Sequence, residues 1–277
     1  MHFIKLIGKF VIIVFAIIGL VFTSVFVAMR MGWTNVRGTI SERNESLFEG
    51  LPPDQIISSV ESAYGWANSP EWGVLSHVFA RDEAIINRAA KDAGISPRIL
   101  LGGVIGEQMR FFSNRRESFK SYFEPLKILA TLSSFSYGIA GLKPETVARI
   151  DENLKNKNSV FYLGSEMEDV ITYPEGADIP ELRFERITDT KNTYYSYLYV
   201  GLFMRQAVMQ WQNSGYDISN SPGIIATLYN LGFNRSIPKA NPAIGGAPIM
   251  VGEREYSFGQ LGEEFYYSGE LMTEFPF

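Results

Sequence analysis

From Asp82 onward, apolar residues recur at the spacing of an α-helix, and this pattern predicts a mainly α domain. The segment 81–94 opens with acidic residues and ends at Gly94, and the apolar segment 193–215 is predicted to be one long, largely buried helix. Further helix starts are marked by a proline at the first helical position, preceded in two cases by a serine suited to capping. These starts lie at Pro97, Pro144 and Pro222.

Strand signals are sparse by comparison. The better candidates are 159–164 (SVFYLG) and 182–188 (LRFERIT). The segment 241–252 is rich in glycine and proline and is predicted to be loop. Its AIGG stretch lacks the lysine and the serine or threonine of a phosphate-binding loop, so no nucleotide site is expected there.

The N-terminal pattern differs from the rest of the chain. Residues 10–29 contain no charged residue, and about 20 apolar residues are enough to cross a bilayer as a helix. Lys5 and Lys9 favour a cytoplasmic N-terminus. We predict a single-pass anchor in the inner (cytoplasmic) membrane over 1–30, a linker or accessory segment over 31–80, and a periplasmic domain over 81–277. The alternative is a cleaved signal peptide, although the apolar stretch exceeds the usual ~7–15 residues.

Composition narrows the chemistry. The chain has no cysteine, so disulfides, thiolate nucleophiles and cysteine-ligated zinc are excluded. The two histidines, His2 and His77, lie far apart in sequence, and no metal or other cofactor is expected. A net charge of −5 argues against nucleic acid as a partner, because phosphate binding needs a clustered basic face. Carboxylates, hydroxyls and amides remain as candidate reactive groups.

Glu107 is the most informative of these groups. On a helix it shares a face with Leu100, Gly103 and Val104, which are core-type neighbours. Burial there would raise the pKa of its carboxyl group, as suits a general acid. Helix-interior glycines cost about 1 kcal/mol each, so glycines close together predict that another helix or a substrate packs against them. These glycines are Gly102, Gly103 and Gly106.

A structural role for Glu107 is the competing interpretation. In that case an arginine close in sequence, Arg110 or Arg115, would neutralise a buried glutamate. Position on a helix does not separate the two interpretations, so the rest of the chain has to.

Three segments in order carry a resemblance to a known family. They are 86–108 (INRAAKDAGISPRILLGGVIGEQ), 136–150 (SYGIAGLKPETVARI) and 224–233 (IIATLYNLGF). Together they resemble the soluble lytic transglycosylases of the goose-type lysozyme-like superfamily, over roughly residues 82–235. The resemblance implies a lysozyme-like helical catalytic domain in which Glu107 is the catalytic acid. It implies substrate contacts from further residues, namely Gln108, Ser136, Tyr137, Gly138, Tyr229 and Asn230.

The sequence departs from the family pattern at three positions. Gln108 replaces the serine that follows the catalytic glutamate, Ala140 replaces a methionine, and Gly141 replaces a glutamine. Loss of that glutamine side chain is expected to leave room for a different saccharide or peptide decoration.

The resemblance implies cleavage of the β-1,4 bond between N-acetylmuramic acid and N-acetylglucosamine in peptidoglycan, with formation of 1,6-anhydromuramyl ends. One alternative is a hydrolysing muramidase, which would need a second carboxylate from Glu117, Glu124 or Glu145. The other is a non-catalytic protein that binds or organises peptidoglycan on a degenerate lysozyme-like fold. The process served, and any envelope-spanning machinery as partner, stay open.

Overall fold

The computed structural model describes residues 62–110 and 139–277, together with 16, 19, 20, 23 and 24. This part of the chain is mainly helical, with one small antiparallel hairpin. The helices are α1 (Pro70–Arg81), α2 (Glu83–Ala93), α3 (Pro97–Met109), α4 (Pro144–Lys155), α5 (Ile179–Thr188), α6 (Tyr194–Asn213), α7 (Pro222–Leu231) and α8 (Phe258–Tyr267). The strands are β1 (Pro248–Val251) and β2 (Arg254–Ser257).

The membrane anchor predicted over 1–30 and residues 31–61 of the linker predicted over 31–80 lie outside the described residues, apart from the few isolated positions named above. Within the described part, no helix combines the length and apolar character needed to span a bilayer.

The predicted helix starts are confirmed. Helices α3, α4 and α7 each have their proline in the first turn. Helix α2 ends at Gly94, which adopts the left-handed conformation (φ 70°) that ends many helices. Ser96 and Ser221 occupy the N-cap positions, but neither side chain accepts a capping hydrogen bond. The fixed φ of proline is therefore the local signal that marks these starts.

The strand predictions are wrong. Segment 182–188 lies within α5, where the Asp178 side chain accepts a hydrogen bond from the Glu181 amide and caps the helix. Segment 159–164 forms turns and irregular backbone. The hairpin instead uses part of the predicted loop, pairing Pro248 with Ser257 and Val251 with Arg254.

Helix α3 lies at the centre of the fold. It packs against α8, α7 and α6, and nearly all of its residues are buried. At Gly102 the backbones of α3 and α8 are in contact, since a Cβ atom there would lie 3.3 Å from the Gly262 carbonyl oxygen. Trp66 and Trp72 belong to the same core, so the core includes residues before the domain boundary predicted at residue 81. The division of the chain into domains stays a prediction.

Arg98 ties the C-terminal tail to this central helix. Its side chain is fully buried, and its guanidinium donates to backbone carbonyls at the end of α8 and beyond. The acceptors are Phe265, Tyr266, Glu270 and Phe275, at 2.7–3.1 Å. Burial lowers the pKa of Arg98 from its usual value. A cation near the C-terminal end of α8 also interacts favourably with the negative end of the helix dipole.

A second buried polar cluster joins α4, α5 and α6. Arg183 Nε lies 2.6 Å from Asp151 Oδ2, and the Tyr199 hydroxyl donates to Asp151 Oδ1 at 3.1 Å. The Tyr173 hydroxyl also donates to Asp151. Burial, and secondly the Asp151 carboxylate, raise the pKa of Tyr199. The carboxylate is thus satisfied by three neighbours, as a buried charge requires.

Comparison of two buried tyrosines gives a stability test of this cluster. Tyr199→Phe removes a hydroxyl bonded to Asp151 and is expected to lower the free energy of unfolding by about 1–3 kcal/mol. Tyr256→Phe removes a buried hydroxyl that has no hydrogen-bond partner among the described residues, so it should be neutral or stabilise by up to about 1 kcal/mol. Urea unfolding monitored by circular dichroism measures both. An equal decrease in the free energy of unfolding in the two variants would show that the hydrogen bond from Tyr199 to Asp151 adds no stability.

Candidate active site

Glu107 lies in the last turn of α3, with only 2% of its surface exposed. Because α3 is buried on all sides, a carboxyl group at this point enters the interior rather than the solvent. The helix ends two residues later, at Met109.

The loop before α4 contacts this carboxyl group directly. Gly141 adopts a left-handed conformation (φ 61°), and a Cβ atom built on it would lie 2.6 Å from Glu107 Oε2. The bare backbone of Gly141 is therefore packed against the carboxyl group. The expectation that a glycine here leaves room for a different substrate is not supported, because Glu107 itself takes up that space.

Two side chains hold the same loop in place through consecutive carbonyl groups. Gln108 is fully buried, and its side-chain amide donates to the Ile139 carbonyl. The Tyr229 hydroxyl donates to the Ala140 carbonyl at 2.5 Å. The fold thus brings together the three segments that carry the family resemblance: the end of α3, the loop before α4 and the end of α7.

The α3 glycines account for this close packing. A Cβ atom at Gly106 would lie 2.7 Å from the Phe258 ring, and one at Gly103 would clash with Met204 and lie 3.3 Å from the Tyr229 ring. Together with the Gly102 contact to α8, this confirms the prediction that other elements pack closely against the glycines. The absence of a side chain at position 103 thus makes room for Met204 and lets the Tyr229 ring pack closely on α3.

Asn230 acts on a different loop. Its amide oxygen accepts a hydrogen bond from the Ala247 backbone at 2.8 Å, and the neighbouring Thr227 hydroxyl accepts one from the Gly245 backbone at 3.0 Å. Together they fix the loop that leads into β1. The predicted substrate contacts of Asn230, Gln108 and Tyr229 stay predictions. In this structure each side chain supports a loop, and the loop held by Gln108 and Tyr229 is the one that contacts Glu107.

Several predicted residues lie outside the described part of the chain, namely Ser136, Tyr137, Gly138, Glu117, Glu124 and Arg115. Glu145, the remaining candidate for a second acid, is exposed in the first turn of α4. There its charge favours the helix N-terminus. In the regions 62–110 and 139–277, no group of three or more histidine, aspartate or glutamate side chains is arranged to hold a metal ion.

Two residues at the site were missed by sequence reasoning. Phe258 comes from α8, about 150 positions from Glu107, and no local pattern links it to α3. Gly141 was read as the loss of a family side chain. Its place in a short turn between apolar residues and the Pro144 helix start is typical of a position that needs positive φ.

Comparisons with known proteins add no relative. No protein-family model matches the chain, and no curated protein and no solved structure is significantly similar to it.

The hydroxyl of Tyr229 offers a test of how the site is held together. Tyr229→Phe keeps the ring against Gly103 but leaves the Ala140 carbonyl without this donor, so the free energy of unfolding should fall by about 1–2 kcal/mol. Tyr216→Phe, at a tyrosine 38% exposed, is the matched control and should change it by less than about 0.5 kcal/mol. Chemical unfolding of both variants measures the two changes. If Tyr229→Phe leaves the free energy of unfolding unchanged, the hydrogen bond to Ala140 does not stabilise the site.

Proposed function

We propose that the chain is a peptidoglycan lytic transglycosylase with a lysozyme-like domain and Glu107 as its general acid and base. The observation that carries the proposal is the convergence of the three segments on the loop that contacts the Glu107 carboxyl group. Gln108 reaches a partner 31 positions away and Tyr229 one 89 positions away, both in the loop whose glycine packs on Glu107. The family resemblance rests on sequence alone, so the proximity of these segments in space supports the proposal independently.

In the proposed reaction, the protonated Glu107 carboxyl donates its proton to the glycosidic oxygen between N-acetylmuramic acid and N-acetylglucosamine. The bond between this oxygen and the anomeric carbon of N-acetylmuramic acid breaks, and N-acetylglucosamine leaves with a free 4-hydroxyl group. The resulting carboxylate then takes the proton of the muramyl 6-hydroxyl as that oxygen attacks the anomeric carbon. The product is a 1,6-anhydromuramyl end, and no water is consumed. One carboxyl group suffices, because the acetamido group of the substrate stabilises the developing positive charge.

The surroundings of Glu107 suit this role. A carboxyl group 2% exposed and packed on backbone is shielded from water, which is an environment in which general acids occur. The exposed position of Glu145 gives no support to a two-carboxylate hydrolysis through that residue. We further propose that an N-terminal anchor holds the enzyme in the inner membrane, with the domain in the periplasm beside its substrate.

The same burial favours a second candidate, a non-catalytic peptidoglycan-binding or scaffold protein on this fold. A carboxyl group this enclosed contributes to packing whether or not it transfers protons. The two candidates differ in what happens to a glycan strand, which is directly measurable.

The test is digestion of purified sacculi with the protein, followed by mass spectrometry of the released muropeptides. The transglycosylase releases anhydromuropeptides, and Glu107→Gln lowers that rate by about 10²–10⁴-fold while preserving the fold, because general acid catalysis contributes about this much. Glu145→Gln should keep the wild-type rate.

Other products would contradict the proposal. Reducing muropeptides indicate a hydrolysing muramidase, most clearly if Glu145→Gln also abolishes them. Intact glycan with retained binding to sacculi indicates the scaffold protein. Anhydromuropeptides at the wild-type rate from Glu107→Gln would show that Glu107 is not the acid.

A further inference from the structure

The contact between Gly141 and Glu107 leaves no space for any side chain at position 141. A Cβ atom there would lie 2.6 Å from Oε2, 3.0 Å from Cδ and 3.2 Å from Cγ of Glu107. Carbon atoms do not approach a carboxyl oxygen this closely, so either the loop or the carboxyl group would have to move.

The loop is held on both sides of the contact. Before it, the Ile139 and Ala140 carbonyls accept hydrogen bonds from Gln108 and Tyr229. After it, Leu142 is buried in the core, and α4 begins at Pro144. A side chain at 141 would therefore displace the Glu107 carboxyl group rather than the loop, because side-chain torsions change more readily than a backbone that is held on both sides of the contact.

We infer that Gly141 is a positioning residue, whose bare backbone sets the location of the Glu107 carboxyl group. This inference rests on the proposed function, because it matters for turnover only if Glu107 transfers protons. It changes the meaning of the departure from the family pattern. Where the family presents a glutamine side chain, this chain presents backbone, and the carboxyl group lies against it.

A substitution at Gly141 would also lower stability because its backbone is in the left-handed conformation. A second glycine with the same conformation but no neighbouring side chain separates this backbone effect from the contact with Glu107. Gly252, in the turn between β1 and β2, has a φ of 59°, close to the 61° of Gly141, but nothing lies within 4 Å of its Cβ position. Gly141→Ala and Gly252→Ala therefore share the backbone strain. They differ in the contact with Glu107.

The first experiment measures thermal stability in a double-mutant cycle, which needs no enzymatic activity. Gly141→Ala should lower Tm by several degrees more than Gly252→Ala in the otherwise unchanged protein. When Glu107→Ala removes the carboxyl group, the cost of Gly141→Ala should fall to that of Gly252→Ala. Glu107→Asp, which shortens the side chain by one methylene, serves the same purpose if Glu107→Ala does not fold. If Gly141→Ala lowers Tm equally with and without the Glu107 carboxyl group, the contact between the two residues does not account for the loss of stability.

The second experiment measures turnover on sacculi. Gly141→Ala should lower kcat by about 100-fold with little change in KM, since a misplacement of about 1 Å costs roughly this factor. Gly252→Ala should remain within about threefold of wild type. A Gly141→Ala variant as active as Gly252→Ala would overturn the positioning role. If the wild type releases no anhydromuropeptides, the proposed function fails instead, and the stability cycle still decides whether Gly141 and Glu107 are coupled.

Discussion

The contact between the backbones of α3 and α8 at Gly102 and Gly262 sets how closely the central helix and the C-terminal helix pack together. With no side chain between them, a Cβ atom at Gly262 would lie 2.8 Å from the Gly102 carbonyl oxygen. The close approach buries one side of α3 against α8, while α7 and α6 cover the others, and it brings the Phe258 ring onto Gly106. Each glycine in the helix costs about 1 kcal/mol of intrinsic stability, and burial of the facing side chains offsets that cost.

A common device stabilises the irregular segments around this centre. Buried or half-buried polar side chains bond to main-chain groups of these segments: Arg98 to the C-terminal tail, Gln108 and Tyr229 to the loop before α4, and Asn230 to the loop before β1. Loops enclosed by helices contain backbone groups that lack a secondary-structure partner, and these side chains supply one. Single residues thus fix whole segments, and one of these, the loop before α4, contacts Glu107.

The sequence was sufficient where local chemistry decides the structure. Proline starts at Pro97, Pro144 and Pro222, and the end of α2 at Gly94, depend on φ preferences and need no tertiary information. Segment 182–188 was misread because its apolar spacing also fits a strand, whereas the Asp178 cap and the Arg183 bond to Asp151 favour a helix. The short hairpin was missed because its strands have four residues each and lie beside glycine and proline.

The candidate site follows the same division between local and tertiary information. Glu107 stands out from sequence because a lone acid within an apolar helix is costly, and that cost is a local property. What lies against it is not local, since Gly141 and Tyr229 come from segments that only the fold brings near. A missing side chain therefore has no fixed meaning in a sequence. If the space beside Gly141 were empty, the missing side chain would indicate the loss of a substrate contact. Because the Glu107 carboxyl group occupies that space, the missing side chain instead makes room for Glu107.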